Sequence, residues 1–205
     1  MENNEELKAQ QAAGKAPEQG LKNGILLYLH DLVCLLAGIV LVLLLLFRIV
    51  IVSGPSMNNT LIDGDYLLLL SNVFYTEPKH GDIIVATKAD FKDGEPIIKR
   101  VIAKEGQTVD IDFDAGIVYV DGVALDESYT LTPTNEEEGV SFPLVVEEDC
   151  IFVMGDNRNK SKDSRHPEIG LIDKRQILGK AILLVFPGDN GGLIPREFDR
   201  IGALS

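Results

Sequence analysis

The sequence predicts a mainly β domain preceded by one N-terminal transmembrane helix. Three observations support this fold class. One apolar stretch is long enough to cross a bilayer, and the chain after it consists of short β-branched runs separated by Gly-rich turns. Helical periodicity is nearly absent after Val52. The length of 205 residues allows one membrane segment and one compact domain.

Residues Leu32 to Val52 form an apolar run of 21 residues that only Arg48 interrupts. As a helix the run would be roughly 30 Å long, the thickness of a hydrocarbon core. Arg48 lies near the far end, where its long side chain can reach the interface. Because the run is long and is followed by Pro55 rather than by a small-residue cleavage site, it predicts a retained anchor, which we assign to residues 25–52. A buried hairpin helix is the alternative.

The residues before the anchor are polar and lack an apolar period, which predicts a disordered tail over residues 1–24. Lys15 and Lys22 precede the anchor, whereas no Lys or Arg occurs between Ser53 and Asn72. The positive-inside rule therefore predicts a single-pass protein with a cytoplasmic N terminus and an extracytoplasmic domain over residues 53–205.

The composition argues against several classes of partner. A formal net charge of -13 and the absence of a basic run argue against nucleic-acid binding. Cys34 lies in the anchor and Cys150 far from it, so a disulfide between them is not expected, and zinc-type spacing is absent. We therefore predict neither a metal nor a cofactor.

The predicted strands are the short apolar runs of the domain. They are Tyr66–Leu70, Ile83–Ala86, Ile97–Ala103, Ile151–Met154 and Ile177–Phe186. Residues 117–125 read as a β-hairpin with a two-residue Asp121-Gly122 turn. The acidic stretch 135–139 is most simply a solvated loop.

The strand around Ile97–Ala103 carries two adjacent cations, Lys99 and Arg100. Because side chains alternate between the faces of a strand, the two cations point to opposite sides. Either one of them shares a face with buried side chains, or the strand is an exposed edge guarded by charge.

Ser56 lies in a Gly-Pro-Asn turn four residues after the apolar run, where most serines only shape the backbone. A nucleophilic serine needs a base, and none of the three histidines has a companion motif. A neutral lysine is the other known base for serine. The ordinary lysine pKa is near 10.4, so such a base needs apolar neighbours that disfavour the ammonium ion. Lys99 has such neighbours on its own face of the strand, namely Ile97, Val101 and Ala103.

Three ordered blocks now carry a resemblance. They are Ser-Gly-Pro-Ser-Met at 53–57, Lys-Arg-Val-Ile-Ala at 99–103, and Gly-Asp-Asn-Arg-Asn-Lys-Ser-Lys-Asp-Ser-Arg at 155–165. Behind an N-terminal anchor, this arrangement resembles bacterial type I signal peptidase, from the anchor to about Phe186. The resemblance implies a signal-peptidase-like, β-rich catalytic domain with a β-hairpin extension.

Carried over by position, the resemblance makes Ser56 the nucleophile and Lys99 the general base. It implies that Ser161 hydrogen-bonds Lys99 and that Asp163 and Arg165 form a structural ion pair. The implied reaction is hydrolysis of signal-peptide-bearing precursors after small-x-small segments such as Ala-x-Ala, at the outer face of a bacterial cell membrane. The sequence leaves the oligomeric state open.

The remaining implied positions surround the nucleophile. Met57 would pack beside it, and the apolar surface around the site would rest on the lipid bilayer. Gly54 stands where some relatives carry a serine that helps to hold the oxyanion, so the backbone N–H of Ser56 would need another donor. Asn59 replaces a usual proline, and Gln107 replaces a usual aspartate in a turn.

Two other functions compete with this interpretation. The first is a non-catalytic, membrane-anchored β domain that binds an extracellular partner. The second is a Ser-Lys self-cleaving protease of the repressor type, which would be expected to carry a DNA-binding segment in place of the anchor.

Overall fold

The structure is a computed structural model that describes the backbone of residues 2–89, 91 and 94–204, with side chains from residue 24 onward in those ranges. The chain divides into two units, a helical one up to Leu45 and a β-rich one from Leu46.

The first unit is one helix, α1 (Glu2–Leu46). Its part from Gly24 to Leu46 is 23 residues long and is apolar enough to cross a membrane by length and composition. The predicted anchor is therefore wrong at its far end, since residues 47–52 do not belong to the helix. A continuous apolar run fits a strand as well as a helix, so periodicity could not separate the two.

Residues 2–23 also belong to α1, although the sequence predicts a disordered tail there. The stretch is rich in Ala, Glu, Gln and Lys, which have high helix propensity even without an apolar period. Its side chains and Met1 lie outside the described residues.

The second unit is built mainly from β-strands, as predicted, and the structure shows that they pair antiparallel. In chain order they are β1 (Phe47–Ile51), β2 (Tyr66–Ser71), β3 (Ile83–Thr87), β4 (Pro96–Lys104), β5 (Thr108–Asp112), β6 (Ile117–Val120), β7 (Val123–Ala124), β8 (Leu144–Val145), β9 (Cys150–Met154), β10 (Ile172–Asp173), β11 (Ile177–Phe186) and β12 (Gly202–Ala203). Among the described residues, short 3-10 helices lie at Arg158–Lys160, Lys174–Gln176 and Phe198–Arg200.

The strands form two sheets. The larger has the order β1-β2-β11-β3-β4-β9-β10, and β12 pairs with β11. The smaller has the order β7-β6-β5-β8. The predicted hairpin is its β6–β7 pair, in which Val120 faces Val123 and both Asp121 and Gly122 have positive φ, as a two-residue turn of this type requires. The extension is larger than predicted, because β5 and β8 complete a four-stranded sheet.

Strand β4 lies inside the larger sheet, between β3 and β9. Ile84 faces Lys99, and Met154 faces Arg100. The exposed-edge interpretation of this strand is therefore wrong, and both cations are buried. A central strand can carry them only if each finds partners, which the site supplies.

Candidate active site

Ser56 lies in a closed loop between β1 and β2, residues 53–64, which we call the serine loop. Two backbone hydrogen bonds close its neck: Val52 N donates to Asp65 O at 2.8 Å, and Gly64 N donates to Val52 O at 3.0 Å. Inside the loop, Gly54 has a φ of +86° and donates its N–H to Asp63 Oδ1 at 2.7 Å. The positive φ explains why a glycine stands at this position.

The serine loop is anchored to the core by its apolar residues. Met57 and Leu61 are buried in one cluster with Val52 and with Leu67 and Leu69 of β2. Met57, the residue after Ser56, is therefore packed into the apolar core.

Lys99 reaches the serine loop from the middle of β4. Its Nζ lies 2.9 Å from Ser56 Oγ and 3.0 Å from the carbonyl oxygen of Ile98. Only 4% of Lys99 is exposed. The structure thus brings together two residues that are 43 positions apart in sequence.

The third block wraps around the other side of the serine loop. Asn157 donates its N–H to Ser56 O at 3.1 Å and its Nδ2 to Pro55 O at 3.0 Å. A Cβ on Gly155 would lie 2.5 Å from both Ser56 O and Ser161 Cβ. Glycine is needed at 155 because the two backbones approach so closely.

Ser161 is buried in this block, but it does not make the predicted hydrogen bond to Lys99. Its Oγ has no hydrogen-bond partner within the described part of the chain, and it packs against the backbone of Gly155 instead. A motif identifies which residue is present but not its rotamer, so the sequence could not decide this contact.

Asp163 and Arg165 form the predicted ion pair. Arg165 Nε donates to Asp163 Oδ1 and Nη2 donates to Oδ2, both at 2.8 Å, and both side chains are 0% exposed. Asp163 Oδ2 also accepts the N–H of Gly155 at 2.9 Å, and Arg165 Nη2 donates to Arg158 O at 2.6 Å. The pair therefore fixes the two ends of the third block against each other.

The acidic loop 135–139 is not fully solvated, which corrects the prediction for Glu138. Its carboxylate lies 3.4 Å from Arg165 and accepts the N–H of Asp163 at 3.4 Å. Burial, with the nearby charge of Asp163 as the second cause, raises the pKa of Glu138 to about 7.

Two further buried pairs were missed by the sequence reasoning. Arg100 donates Nε and Nη2 to Asp156 at 2.9 and 2.8 Å, and its guanidinium lies 4.0 Å from the ring centre of Tyr129. Arg158 donates Nη1 to Glu127 Oε2 at 2.6 Å. Asp156 and Arg158 stand in the third block, so the motif contains one member of each pair. Their partners come from distant segments, which the motif does not identify.

A cavity of about 600 Å³ opens beside the Ser56–Lys99 pair. One wall is formed by residues 50–57 and the facing wall by residues 95–99, with Phe91, Lys160 and Lys162 at the rim. Strand β4 pairs with β9 only from Arg100 onward, so its first residues leave their edge beside the cavity unpaired by β9.

No group of three or more His, Cys, Asp or Glu side chains among the described residues could hold a metal ion.

Comparison with known proteins places the chain in a family. The sequence model of the family described as "Signal peptidase, peptidase S26" matches residues 25–186. The signal peptidase I of Bacillus licheniformis is 34% identical over 174 residues, covering 81% of this chain and 91% of that protein. A probable signal peptidase I-1 of Synechocystis sp. is 37% identical, covering 77% and 82%. The signal peptidase I P of Bacillus subtilis subsp. natto is 33% identical, covering 84% and 95%.

A crystal structure of a signal peptidase I from Enterococcus faecalis is 29% identical and has a TM-score of 0.42, covering 51% of this chain and 97% of that one. The match to the family covers most of the chain, and the curated relatives exceed 30% identity over most of their own length. The chain therefore belongs to the signal peptidase family, peptidase S26, and it is a hydrolase that acts as a signal peptidase.

Proposed function

We propose that this protein is a membrane-bound serine endopeptidase that removes signal peptides through a catalytic pair, Ser56 and Lys99. The observation that carries the proposal is the 2.9 Å contact between Lys99 Nζ and Ser56 Oγ beside the cavity. A nucleophile within hydrogen-bond reach of its base is the geometry that acyl transfer requires.

In the proposed reaction, neutral Lys99 takes the proton of Ser56 as Oγ attacks the scissile carbonyl. The resulting lysinium then protonates the leaving amine, which is the new N terminus of the mature protein. Neutral Lys99 next takes a proton from a water molecule whose oxygen attacks the carbonyl of the acyl-enzyme. Lys99 then gives that proton to Ser56 Oγ as the ester bond breaks, which releases the signal peptide and regenerates Ser56.

The negative charge that develops on the scissile carbonyl oxygen during the attack needs a hydrogen-bond donor. The N–H of Ser56 donates to no group within the described part of the chain, which supports its use for the oxyanion. The N–H of Gly54 is already bound to Asp63 Oδ1, so the second donor would come from elsewhere.

Selectivity for small residues would follow from the walls of the cavity. Val52, Ile97 and Ile98 line the cavity, and an extended substrate between the walls would place alternate side chains against the same wall. Small side chains one and three residues before the cut would fit there, whereas larger ones would overlap with the wall.

The apolar helix Gly24–Leu46 supports a bilayer anchor. Lys15 and Lys22, which precede it, support a cytoplasmic N terminus and a catalytic domain outside. The substrates would be precursors whose own apolar segments lie in the same bilayer. Retention of both enzyme and substrate in one membrane would restrict the scissile bond to the interface.

The test is cleavage of a purified precursor by the full chain in lipid, with the cut mapped by mass spectrometry of the new N terminus. A precursor with Ala-x-Ala before the cut should be processed after the second alanine. A matched precursor with Phe in place of that last alanine should be resistant. Equal cleavage of both precursors would contradict the proposed pocket, and cleavage of neither would contradict the proposed activity.

A further inference from the structure

The chain after Phe186 folds back onto the catalytic domain. We call residues 187–204 the C-terminal clasp; they lie outside residues 25–186, which the family model matches. Gly202 and Ala203 pair with Leu184 and Leu183 of β11, and Leu204 N donates to Ile182 O at 3.1 Å. The clasp is therefore an ordered part of the larger sheet rather than a loose end.

One arginine of the clasp binds the neck of the serine loop. Arg200 donates Nη1 to Asp65 Oδ1 at 3.0 Å and Nη2 to Asp65 Oδ2 at 2.7 Å. Nη2 also donates to the carbonyl oxygen of Thr60, inside the loop, at 3.2 Å. A two-pronged contact with a carboxylate fixes direction as well as distance, which a lysine cannot reproduce.

Asp65 stands where the clasp and the serine loop meet. It is 0% exposed, and its carbonyl oxygen accepts the N–H of Val52 at the other side of the neck. Its carboxylate accepts the N–H of Ile62 at 2.8 Å and the N–H of Gly188 at 2.7 Å. One carboxylate thus joins the loop to both ends of the clasp.

The clasp also touches the loop through packing. A Cβ on Gly188 would lie 2.6 Å from Asp65 N and 2.6 Å from Gly64 C, so only glycine fits at this crossing. Leu204 packs against the apolar cluster that contains Met57, the residue next to Ser56. Both contacts restrict the serine loop.

We propose that Arg200 is a positioning residue that holds the serine loop, and with it Ser56, at its distance from Lys99. Arg200 acts through Asp65 and Thr60 and touches neither reacting atom. The effect expected on kcat when Arg200 is replaced rests on the proposed function. The effect expected on the mobility of the serine loop does not depend on the proposed function.

The kinetic test compares Arg200→Ala with Arg196→Ala in the full chain. Arg196 belongs to the same clasp, but its guanidinium binds Asp189 and the Pro187 carbonyl and stacks on Phe186, all of which lie outside the serine loop. Arg200→Ala should lower kcat about 10- to 100-fold, as a displacement of roughly 1 Å does, while KM changes little. Arg196→Ala should keep the parent's kcat.

Arg200→Lys should recover part of the lost rate, because it keeps the charge beside Asp65 but lacks the planar fork. A folded Arg200→Ala variant with the parent's kcat would overturn the proposal. So would a loss in which KM rises and kcat does not change.

A second measurement does not depend on activity. Hydrogen exchange, followed by mass spectrometry, reports the amides of Asn58 and Leu61, which bond to Pro55 O and Met57 O inside the loop. In Arg200→Ala these amides should exchange about tenfold faster, while those of β4 stay at the parent's rate.

Unchanged exchange in the serine loop would refute the positioning role, and so would a uniform increase that includes β4. If Arg200→Ala does not fold, Arg200→Lys carries the same comparison. Absence of cleavage by the parent would contradict the proposed function alone, because the exchange result would still decide the role of Arg200.

Discussion

The buried Asp163–Arg165 pair offers a quantitative prediction. Asp163→Asn keeps the shape of the side chain and its capacity to accept the N–H of Gly155, but it leaves the Arg165 guanidinium without its principal countercharge. Because both side chains are 0% exposed, water cannot replace the lost partner. Removing one member of a buried pair costs about 3–5 kcal/mol.

The structure favours the lower end of that range. Arg165 keeps a second carboxylate, Glu138, at 3.4 Å, and keeps its bond to the carbonyl of Arg158. We therefore expect a loss of about 3 kcal/mol in the free energy of unfolding, or roughly 6–12 °C in Tm for a domain of this size.

A matched control exists in the same chain. Asp173 and Arg175 have the same spacing and a similar two-pronged contact, but 88% of the Arg175 side chain is exposed. Asp173 also caps a short 3-10 helix, a role that Asn fills equally well, so Asp173→Asn removes little besides the charge. An exposed ion pair stabilises a fold little, and this variant should unfold close to the parent.

The assay is urea unfolding of the full chain in detergent, followed by tyrosine fluorescence because the chain has no tryptophan. The expected order of stability is parent, then Asp173→Asn, with Asp163→Asn well below both. If Asp163→Asn were no less stable than Asp173→Asn, the buried pair would not hold the third block as argued.

Three further predictions concern the site. Lys99→Arg should remove turnover and leave the domain folded, because arginine does not give up a proton at usable pH; appreciable cleavage by this variant would exclude Lys99 as the base. Gly155→Ala should lower activity strongly, since the new Cβ would press on backbone at Ser56 and on Ser161 Cβ; a fully active variant would show that the close approach is not required. The third concerns pH. Burial raises the pKa of Glu138 to about 7 in the folded state, whereas the unfolded state has the ordinary value of about 4.5. Between these values the folded state binds a proton that the unfolded state has lost, so the free energy of unfolding falls as pH rises from about 4.5 to 7. Glu138→Gln should therefore gain stability relative to the parent between pH 5 and pH 8 in urea titrations, and a difference that does not change with pH would refute the assignment.

Much of the site could be predicted from the sequence, because its residues stand in ordered blocks. Ser56, Lys99 and the Asp163–Arg165 pair come together as expected, and Gly155 and Asn157 of the third block hold the serine loop. The predicted Ser161–Lys99 hydrogen bond was wrong, because a motif does not specify which way a small hydroxyl points.

The parts that could not be predicted depend on contacts between distant segments. Nothing in the local pattern separates β1 from the end of the apolar helix, because both are continuous apolar runs. Pairing with β2 decides in favour of a strand. Likewise, the proposed role of Arg200 depends on its contact with Asp65, which lies 135 positions away in sequence.

The measurement that tests the central claim most directly is precursor cleavage by three proteins: the parent, Ser56→Ala and Ser53→Ala. Ser53 lies in the same turn, three residues before Ser56, and serves as the control for a change of serine at this place. The account predicts release of the mature protein by the parent and by Ser53→Ala, and none by Ser56→Ala. Cleavage by Ser56→Ala at the parent's rate would contradict it.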